Sequence, residues 1–251
     1  MAKDKQRADL LLVEHGLAPS RARAQALILA GNVFVGDRRV EKAGDRLPIE
    51  AALRVRGEDH PFVSRGGVKL AGALDAFGLD PDGRVAADFG ASTGGFTDCL
   101  LSRGARRVFA IDVGYGQLAD KLRRDARVVV MERVNARHLK RGDLEEAPDW
   151  IVIDASFIGL SKLLPAANEL LVDGGVVVAL VKPQFEVGKD KVGKGGVVRD
   201  EAARAEAIAS AASQAQELGF RVAGQADSVL EGPSGNRECF LHLVRAAAKA
   251  C

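Results

Sequence analysis

The chain has 251 residues, a net charge of +2 and an apolar fraction of 47%. This length suits one large domain, or a medium domain with a small companion, and the charge is too small for nucleic-acid binding by bulk attraction. The cysteines Cys99, Cys239 and Cys251 have spacings that suit neither a disulfide framework nor a zinc site. We therefore predict reduced cysteines, no metal site, and nucleic-acid binding only through local basic patches.

The amino-terminal text AKDKQRAD is charged and lacks the apolar stretch of a signal peptide. No apolar run approaches the roughly 18 residues of a membrane span, the best candidate being the short GGVVVALV. We therefore expect a cytoplasmic protein without a membrane partner.

The first sixty residues predict two short helices followed by a hairpin. Leu10 to Val13 precede a His15-Gly16 stop, and a Pro19-Ser20 start leads into a second helix that ends at Gly31. Residues 33–40 then place apolar side chains around a Gly-Asp turn, which is typical of two short strands. We predict a small domain at 1–57, a linker at 58–63 and a larger domain at 64–251.

Two groups of basic residues are candidates for a nucleic-acid surface. One lies within residues 21–46 and the other within residues 103–141. Basic residues also populate solvated helix faces in every soluble protein, so neither group is decisive alone.

The small domain resembles the αL-type RNA-binding domain of a small-subunit ribosomal protein, tyrosyl-tRNA synthetases and pseudouridine synthases. The resemblance rests on RADLLLVEHGL, SRARAQALILAGNVFVGDRRV and EKAGDRL. Ser20 and the arginines after it stand at the start of the second helix, where backbone N–H groups and cations together suit phosphates. The resemblance implies RNA binding, with a purely structural module as the alternative.

From Arg84 onward, strands and helices alternate in the pattern of a doubly wound parallel sheet. The predicted strands are residues 84–88, 107–111, 128–130, 150–154, 176–181, 221–228 and 239–244, with a helix from about 201 to 218 before the last two. A turn joins the closing pair, which predicts an antiparallel hairpin at one edge.

A glycine-rich turn follows the first of these strands. Asp88 ends the strand, and Gly90, Gly94 and Gly95 let the backbone turn tightly near a ligand. Asp112 ends the next strand, where a carboxylate could accept the two hydroxyls of a ribose. The pair favours a nucleoside cofactor without phosphates, for which S-adenosylmethionine is suited. Close packing of helix on strand is the alternative role of the glycines.

Four further residues have the chemistry of a catalytic set. Asp154 and Lys182 end strands at the same edge as Asp88 and Asp112, while Lys69 and Glu238 stand in SRGGVKL and PSGNRECF. Taken singly, each has an ordinary alternative as an ion-pair partner, a solvated lysine or a turn residue. Their conjunction favours function.

Nearly the whole chain resembles the TlyA, or haemolysin-A-like, family of ribosomal RNA 2′-O-methyltransferases, whose larger half is similar to FtsJ. The resemblance is carried by VSRGGVKLAGAL, DFGASTGGFTDCLL, AIDVGYGQL, ERVNAR, DASFI, LVKPQFEVGK, KGGVVRD and EGPSGNRECFLHL. It implies an α/β class I methyltransferase fold, with a seven-stranded mostly parallel sheet containing one antiparallel strand, plus the small α+β RNA-binding domain.

The resemblance also implies site residues. The catalytic tetrad is Lys69, Asp154, Lys182 and Glu238. The S-adenosylmethionine site comprises Asp88, Gly90, Ala91, Ser92, Thr93, Gly94, Gly95, Phe96, Asp112 and Asn135. RNA-binding residues are Arg7, Ser20, Arg21, Arg23, Arg38, Arg39, Lys42, Arg65 and Lys189.

The implied substrate is cytidine in ribosomal RNA or ribosomal subunits, in the large subunit alone or in both. The chain ends soon after the last strand, which resembles the shorter members that act on the large subunit. A ribose hydroxyl is a poor nucleophile and needs a base. Lys182 is our choice, with Lys69 nearby to favour the neutral amine and with Asp154 and Glu238 to orient it.

Residues 182–199 combine lysines with glycines and predict a mobile basic loop that closes over RNA. Three alternatives remain: a catalytically weak ribosome-assembly factor, a membrane-active haemolysin, and base methylation. No membrane segment supports the second, and the third lacks an Asn-Pro-Pro-aromatic text, since Asp154-Ala155-Ser156-Phe157 stands there.

Overall fold

The computed structural model describes residues 5–18, 20–36, 38–55, 60–188, 191–232 and 234–246. It divides into two compact units, Met1–Asp59 and His60–Cys251, which we describe separately. Among the described residues, no helix has both the length and the apolar character needed to cross a membrane.

In its described residues, the smaller unit contains two helices and five short strands. Its elements are β1 (Lys5–Arg7), α1 (Ala8–Glu14), α2 (Arg21–Leu29), β2 (Val33–Val35), β3 (Arg38–Arg39), β4 (Arg46–Pro48) and β5 (Leu53–Val55). The two predicted helices and the β2–β3 hairpin are confirmed. The sequence did not predict β1, β4 and β5, which are three residues each; β1 pairs with β4, and β5 pairs with β2.

The larger unit is a twisted sheet with helices. Its elements are α3 (Arg65–Phe77), β6 (Val85–Phe89), α4 (Gly95–Ser102), β7 (Arg107–Asp112), α5 (Asp120–Arg123), β8 (Val128–Glu132), β9 (Trp150–Ile153), α6 (Leu164–Leu170), β10 (Val176–Val181), α7 (Pro183–Glu186), α8 (Glu201–Glu217), β11 (Phe220–Asp227) and β12 (Cys239–Arg245). The strand order is β11-β12-β10-β9-β6-β7-β8. Among the described strands of this sheet, β12 alone runs opposite to the other six, so it pairs antiparallel with both β10 and β11, as the sequence predicted.

The central strands of this sheet are buried on both faces, which explains why they are continuous apolar runs. Side chains of a strand alternate between faces. On β10, Val177, Ala179 and Val181 pack into one apolar cluster, while Val178 and Leu180 pack into the other. The sheet therefore has a core on each side and leaves its strand ends for binding.

The strand order places a crevice at the carboxyl end of β6. Strand β6 lies between β7 and β9, so the chain leaves it in one direction and returns on its other side. Ligands of open α/β sheets bind at this kind of switch point. Here the ends of β6, β7, β9 and β10 bring Gly90, Asp112, Asp154 and Lys182 to one edge.

The segment before α3 belongs to the larger unit. Phe62 and Val63 pack against its core, and the Val63 backbone N–H donates to Asp98 Oδ2 at 2.8 Å. Residues 58 and 59 of the predicted linker lie outside the described residues. The domain limits taken from the sequence stay a prediction.

Candidate active site

A cavity of about 750 Å³ lies at the carboxyl edge of the sheet. Its wall is formed by the start of α3, the loops that follow β6, β9 and β10, and the segment before β12. All four residues of the predicted tetrad, Lys69, Asp154, Lys182 and Glu238, line it. The fold therefore brings together residues that are up to 169 positions apart in the chain.

Lys69 and Glu238 form a buried ion pair within this wall. Lys69 Nζ donates to Glu238 Oε2, and the side chains are only 8% and 1% exposed. Lys69 projects from α3, and Glu238 stands immediately before β12. A pair this dry depends on both partners, because either charge alone would be buried without compensation.

Lys182 and Asp154 form a second, more open pair. Lys182 Nζ lies 2.7 Å from Asp154 Oδ1 and donates to Ser156 Oγ at 2.9 Å. The Lys182 and Asp154 side chains are 11% and 24% exposed, and Ser156 is exposed. Each lysine thus has its own carboxylate, whereas the sequence had predicted that Asp154 and Glu238 would both orient Lys182. The reason is topological, because Glu238 approaches from the opposite side of β10 to Asp154 and contacts α3.

The turn between β6 and α4 requires glycine at two positions. Gly90 has φ +87°, and a Cβ there would lie 3.0 Å from the Asp154 carbonyl oxygen. Gly94 has φ +94°, and its Cβ would lie 2.2 Å from Leu122 Cδ1. Ser92 between them has φ +48°, a left-handed conformation that is uncommon for serine. This backbone is held close to its neighbours and lines the cavity with residues 90–93, 95 and 96.

Asp88 lies beneath this turn, fully buried. Its Oδ2 accepts hydrogen bonds from the Thr97 backbone N–H at 3.0 Å and from Thr97 Oγ1 at 2.7 Å. Its Oδ1 has no hydrogen-bond partner within the described part of the chain. Burial, opposed by the Thr97 hydrogen bonds, raises the pKa of Asp88 to about 7.

Asp112 braces the same turn from the neighbouring strand. Its Oδ2 accepts from the Ser92 N–H at 2.8 Å and its Oδ1 from the Gly114 N–H at 2.6 Å. A carboxylate offers about four acceptor sites, so both oxygens retain capacity for a ribose hydroxyl. Asn135 is exposed and accepts from the Arg137 N–H, which caps a short 3₁₀ turn. Among described residues, Asp88, Gly94, Asp112 and Asn135 do not line the cavity itself.

The basic loop after α7 is anchored at one end. The buried side chain of Asn236 accepts from the Val198 N–H at 2.9 Å and donates to the Gly196 carbonyl oxygen at 2.8 Å. Val192 and Gly196 line the cavity. The predicted loop therefore forms part of the wall, while Lys189 lies outside the described residues.

The other predicted RNA-binding residues occupy two places. Arg65 lies at the rim of the cavity and donates to the Glu231 carbonyl oxygen at 3.5 Å. In the smaller unit, Ser20 caps α2 by accepting from the Arg23 N–H. Of the predicted basic residues in this unit, Arg21, Arg38, Arg39 and Lys42 are exposed, while Arg7 and Arg23 are half-buried.

Three residues at these sites were missed. Ser156 holds Lys182, Asp9 binds Arg7 and Arg21, and Glu186 Oε1 accepts from the Leu160 N–H at 2.8 Å within the loop that carries Ser156. The motif DASFI includes Ser156, and RADLLL includes Asp9. Neither motif says which partner its polar residue meets.

The residues present fit S-adenosylmethionine. The cavity volume lies in the range of small-molecule sites. Its glycine-containing wall allows a ligand to approach the backbone closely. Asp112 beside it can accept hydrogen bonds from the hydroxyls of a nucleoside, whereas a phosphate would need hydrogen-bond donors. Fold and site together define a class I S-adenosylmethionine-dependent methyltransferase with an additional small unit.

Comparison with known protein families supports this assignment to the methyltransferases. The FtsJ-like methyltransferase family matches residues 62–245, and the S4 domain family matches residues 6–52. The chain belongs to the FtsJ-like methyltransferase family and, within it, to the TlyA or haemolysin-like group.

Three similar proteins illustrate this membership. A 16S/23S rRNA (cytidine-2′-O)-methyltransferase TlyA of Mycobacterium tuberculosis is 49% identical over 95% of this chain and 90% of its own. Hemolysin A of Brachyspira hyodysenteriae is 39% identical over 95% of this chain and 99% of its own. A solved structure described as a candidate hemolysin from Streptococcus thermophilus is 42% identical, has a TM-score of 0.77, and is matched over 98% of this chain and 90% of its own.

Proposed function

We propose that the protein methylates the 2′-hydroxyl of cytidine in ribosomal RNA, in the large subunit and also in the small one. The observation that carries the reaction is Lys182, held by Asp154 and Ser156 on the wall of the cofactor cavity. The printed name of the mycobacterial relative, a 16S/23S rRNA (cytidine-2′-O)-methyltransferase, supports both the nucleotide and the two subunits, in place of the large-subunit expectation taken from the length of the chain. A cytoplasmic location follows from such a substrate.

Bound S-adenosylmethionine supplies an electrophilic methyl group on a sulfonium. The neutral amine of Lys182 accepts the proton of the ribose hydroxyl as the oxygen attacks the methyl carbon; the proton that Lys182 carries in its pair with Asp154 leaves to solvent before this step. Asp154 and Ser156 fix the direction of the amine, since both contact Nζ. RNA that covers the cavity keeps water away from Lys182 and the ribose hydroxyl during the transfer.

The buried pair has a different part. Lys69 and Glu238 line the cavity and are almost completely shielded from solvent, so they give it a fixed, polar wall next to the reacting groups. Fixed charges act strongly where water is excluded. We assign Lys69 and Glu238 to the tetrad as groups that position the hydroxyl.

RNA is proposed to reach this cavity through two sets of contacts. The smaller unit, which matches the S4 domain family and which we call the S4 unit, supplies Arg7, Ser20, Arg21 and the other basic residues named above, which contact phosphates. Arg65 supplies a cation at the cavity rim. Phosphate contacts of this kind fix register and orientation rather than sequence.

The test uses purified protein, labelled S-adenosylmethionine, and separated ribosomal subunits from cells that lack the enzyme. We expect 2′-O-methylcytidine as the labelled nucleoside on the large subunit and on the small one, and loss of label with Lys182→Ala. Binding of S-adenosylmethionine to Lys182→Ala should be retained.

Label in a base, or full activity of Lys182→Ala, would contradict the proposed reaction. No label on either subunit despite cofactor binding would favour the assembly-factor alternative. Label on the large subunit alone would contradict the small-subunit part.

A further inference from the structure

We propose that Asp9 is a positioning residue of the RNA-binding surface, which holds the guanidinium groups of Arg7 and Arg21 side by side for contact with phosphates. This inference rests on the proposed function, because it takes RNA as the ligand of the S4 unit.

The geometry around Asp9 is closely packed with donors. Arg7 binds the Asp9 carboxylate in a bidentate manner, donating from Nε to Oδ1 at 2.9 Å and from Nη2 to Oδ2 at 3.0 Å. Arg21 Nε donates to Oδ2 at 2.9 Å, and Gln25 Nε2 donates to the same oxygen at 2.8 Å. Asp9 therefore joins the residue before α1 to the first turn of α2.

Asp9 is fully buried, whereas the arginines it binds are not. Its side chain is 0% exposed, and those of Arg7 and Arg21 are 41% and 54% exposed. The hydrogen bond from Arg7, with those from Gln25 and Arg21, holds the pKa of Asp9 well below its usual range. The carboxylate is charged at any physiological pH and forms a permanent anchor.

The arginines keep donors for a ligand. A guanidinium has five N–H donors; Asp9 takes two from Arg7 and one from Arg21. Two guanidinium groups so close would repel each other without the carboxylate between them. Ordering them before RNA arrives removes part of the entropy cost of binding.

The opposing explanation is that Asp9 only neutralises charge. The two explanations predict opposite signs for Asp9→Asn. Loss of a negative charge beside two arginines should tighten RNA binding if charge alone matters. Loss of the fixed arrangement should weaken it.

The experiment measures the Kd of the full-length protein for large ribosomal subunits from cells that lack the enzyme, and for an unrelated RNA hairpin, over a range of salt. We expect Asp9→Asn to weaken both about tenfold and to reduce the salt slope by about one. The matched control is Glu14→Gln, which removes the same charge from α1 while Gln6 donates to that side chain. It should leave the Kd unchanged or slightly lower.

Arg21→Lys covers the case in which Asp9→Asn does not fold, because it keeps the charge and removes the planar fork. It should weaken binding several-fold, with S-adenosylmethionine binding unchanged. Equal or tighter binding by Asp9→Asn, or wild-type affinity for Arg21→Lys, would overturn the inference. The assay needs no methyl transfer, so a protein that shows these differences but transfers no methyl contradicts only the proposed function.

Discussion

The active-site cavity contains two lysine–carboxylate pairs of the same chemistry in different surroundings. Lys69–Glu238 is 8% and 1% exposed, while Lys182–Asp154 is 11% and 24% exposed and is joined by an exposed serine. The difference lies mainly in the carboxylate, which is dry in one pair and reachable by solvent in the other. Burial therefore fixes the Lys69–Glu238 pair within the fold, whereas solvent reaches the carboxylate of the Lys182–Asp154 pair.

This contrast follows from the cost of burying charge. Removing one partner from a buried pair leaves the other uncompensated and costs about 3–5 kcal/mol. A partly exposed pair contributes much less to stability, because water can replace the lost partner. We therefore expect changes to the buried pair to appear first in stability and changes to the open pair to appear first in rate.

The largest expected effect is on catalysis at Lys182. Lys182→Arg keeps a cation beside Asp154, but a guanidinium stays protonated and cannot accept the hydroxyl proton. We expect kcat for methyl transfer to fall about a hundredfold to ten-thousandfold. The exposed Lys162→Ala, outside the cavity, is the control and should keep its rate. Normal turnover by Lys182→Arg would remove Lys182 from the role of base.

The next effect is on stability at Glu238. Glu238→Gln leaves Lys69 buried without a counter-charge, so the free energy of unfolding should fall by about 3 kcal/mol in a denaturant titration. Glu231→Gln is its match, because Glu231 is exposed and lines the same cavity. That change should stay within about 0.5 kcal/mol. Similar losses for both variants would mean that burial does not distinguish these carboxylates.

Ser156 tests the support of the open pair. Ser156→Ala removes the hydrogen bond at 2.9 Å to Lys182 Nζ. A loss of about 1 kcal/mol of positioning should lower kcat roughly fivefold with little change in stability. Ser102→Ala, which removes a hydrogen bond to the Cys99 carbonyl oxygen away from the cavity, should not change kcat.

Asp88 sharpens the comparison as a buried acid that has no ion-pair partner in the described structure. Its pKa of about 7 exceeds that of an unfolded aspartate, so the folded protein holds a proton between about pH 4 and pH 7 that the unfolded chain releases. Its contribution to stability is complete below about pH 4 and is lost as the pH rises through 7. We expect Asp88→Asn to flatten this slope, which is at most about 1.4 kcal/mol per pH unit. An unchanged slope in unfolding measured from pH 5 to pH 8 would contradict it.

Most of the larger fold could be predicted from the sequence. Its strands are apolar runs separated by helices, and strands that are buried on both faces have this sequence pattern. The short strands β1, β4 and β5 could not be predicted, because each has only three residues and no tight turn joins it to its partner, unlike β2 and β3. Their pairing partners are distant in the chain.

The candidate site was predicted in composition but not in connection. Motifs placed Lys69, Asp154, Lys182 and Glu238 in one set, and the structure gathers all four at one cavity. Which carboxylate faces which lysine depends on the side of β10 from which each segment arrives. Local sequence does not encode that direction, and for the same reason Asp9 went unnoticed between two arginines.

The most direct test compares Lys69→Met and Lys182→Met in single-turnover methyl transfer and in denaturant unfolding. Our account predicts that Lys182→Met loses at least about a hundredfold in rate while its unfolding free energy changes by less than about 1 kcal/mol. Lys69→Met should lose about 3 kcal/mol of stability. A near-normal rate for Lys182→Met, or equal losses of stability in both variants, would contradict the account.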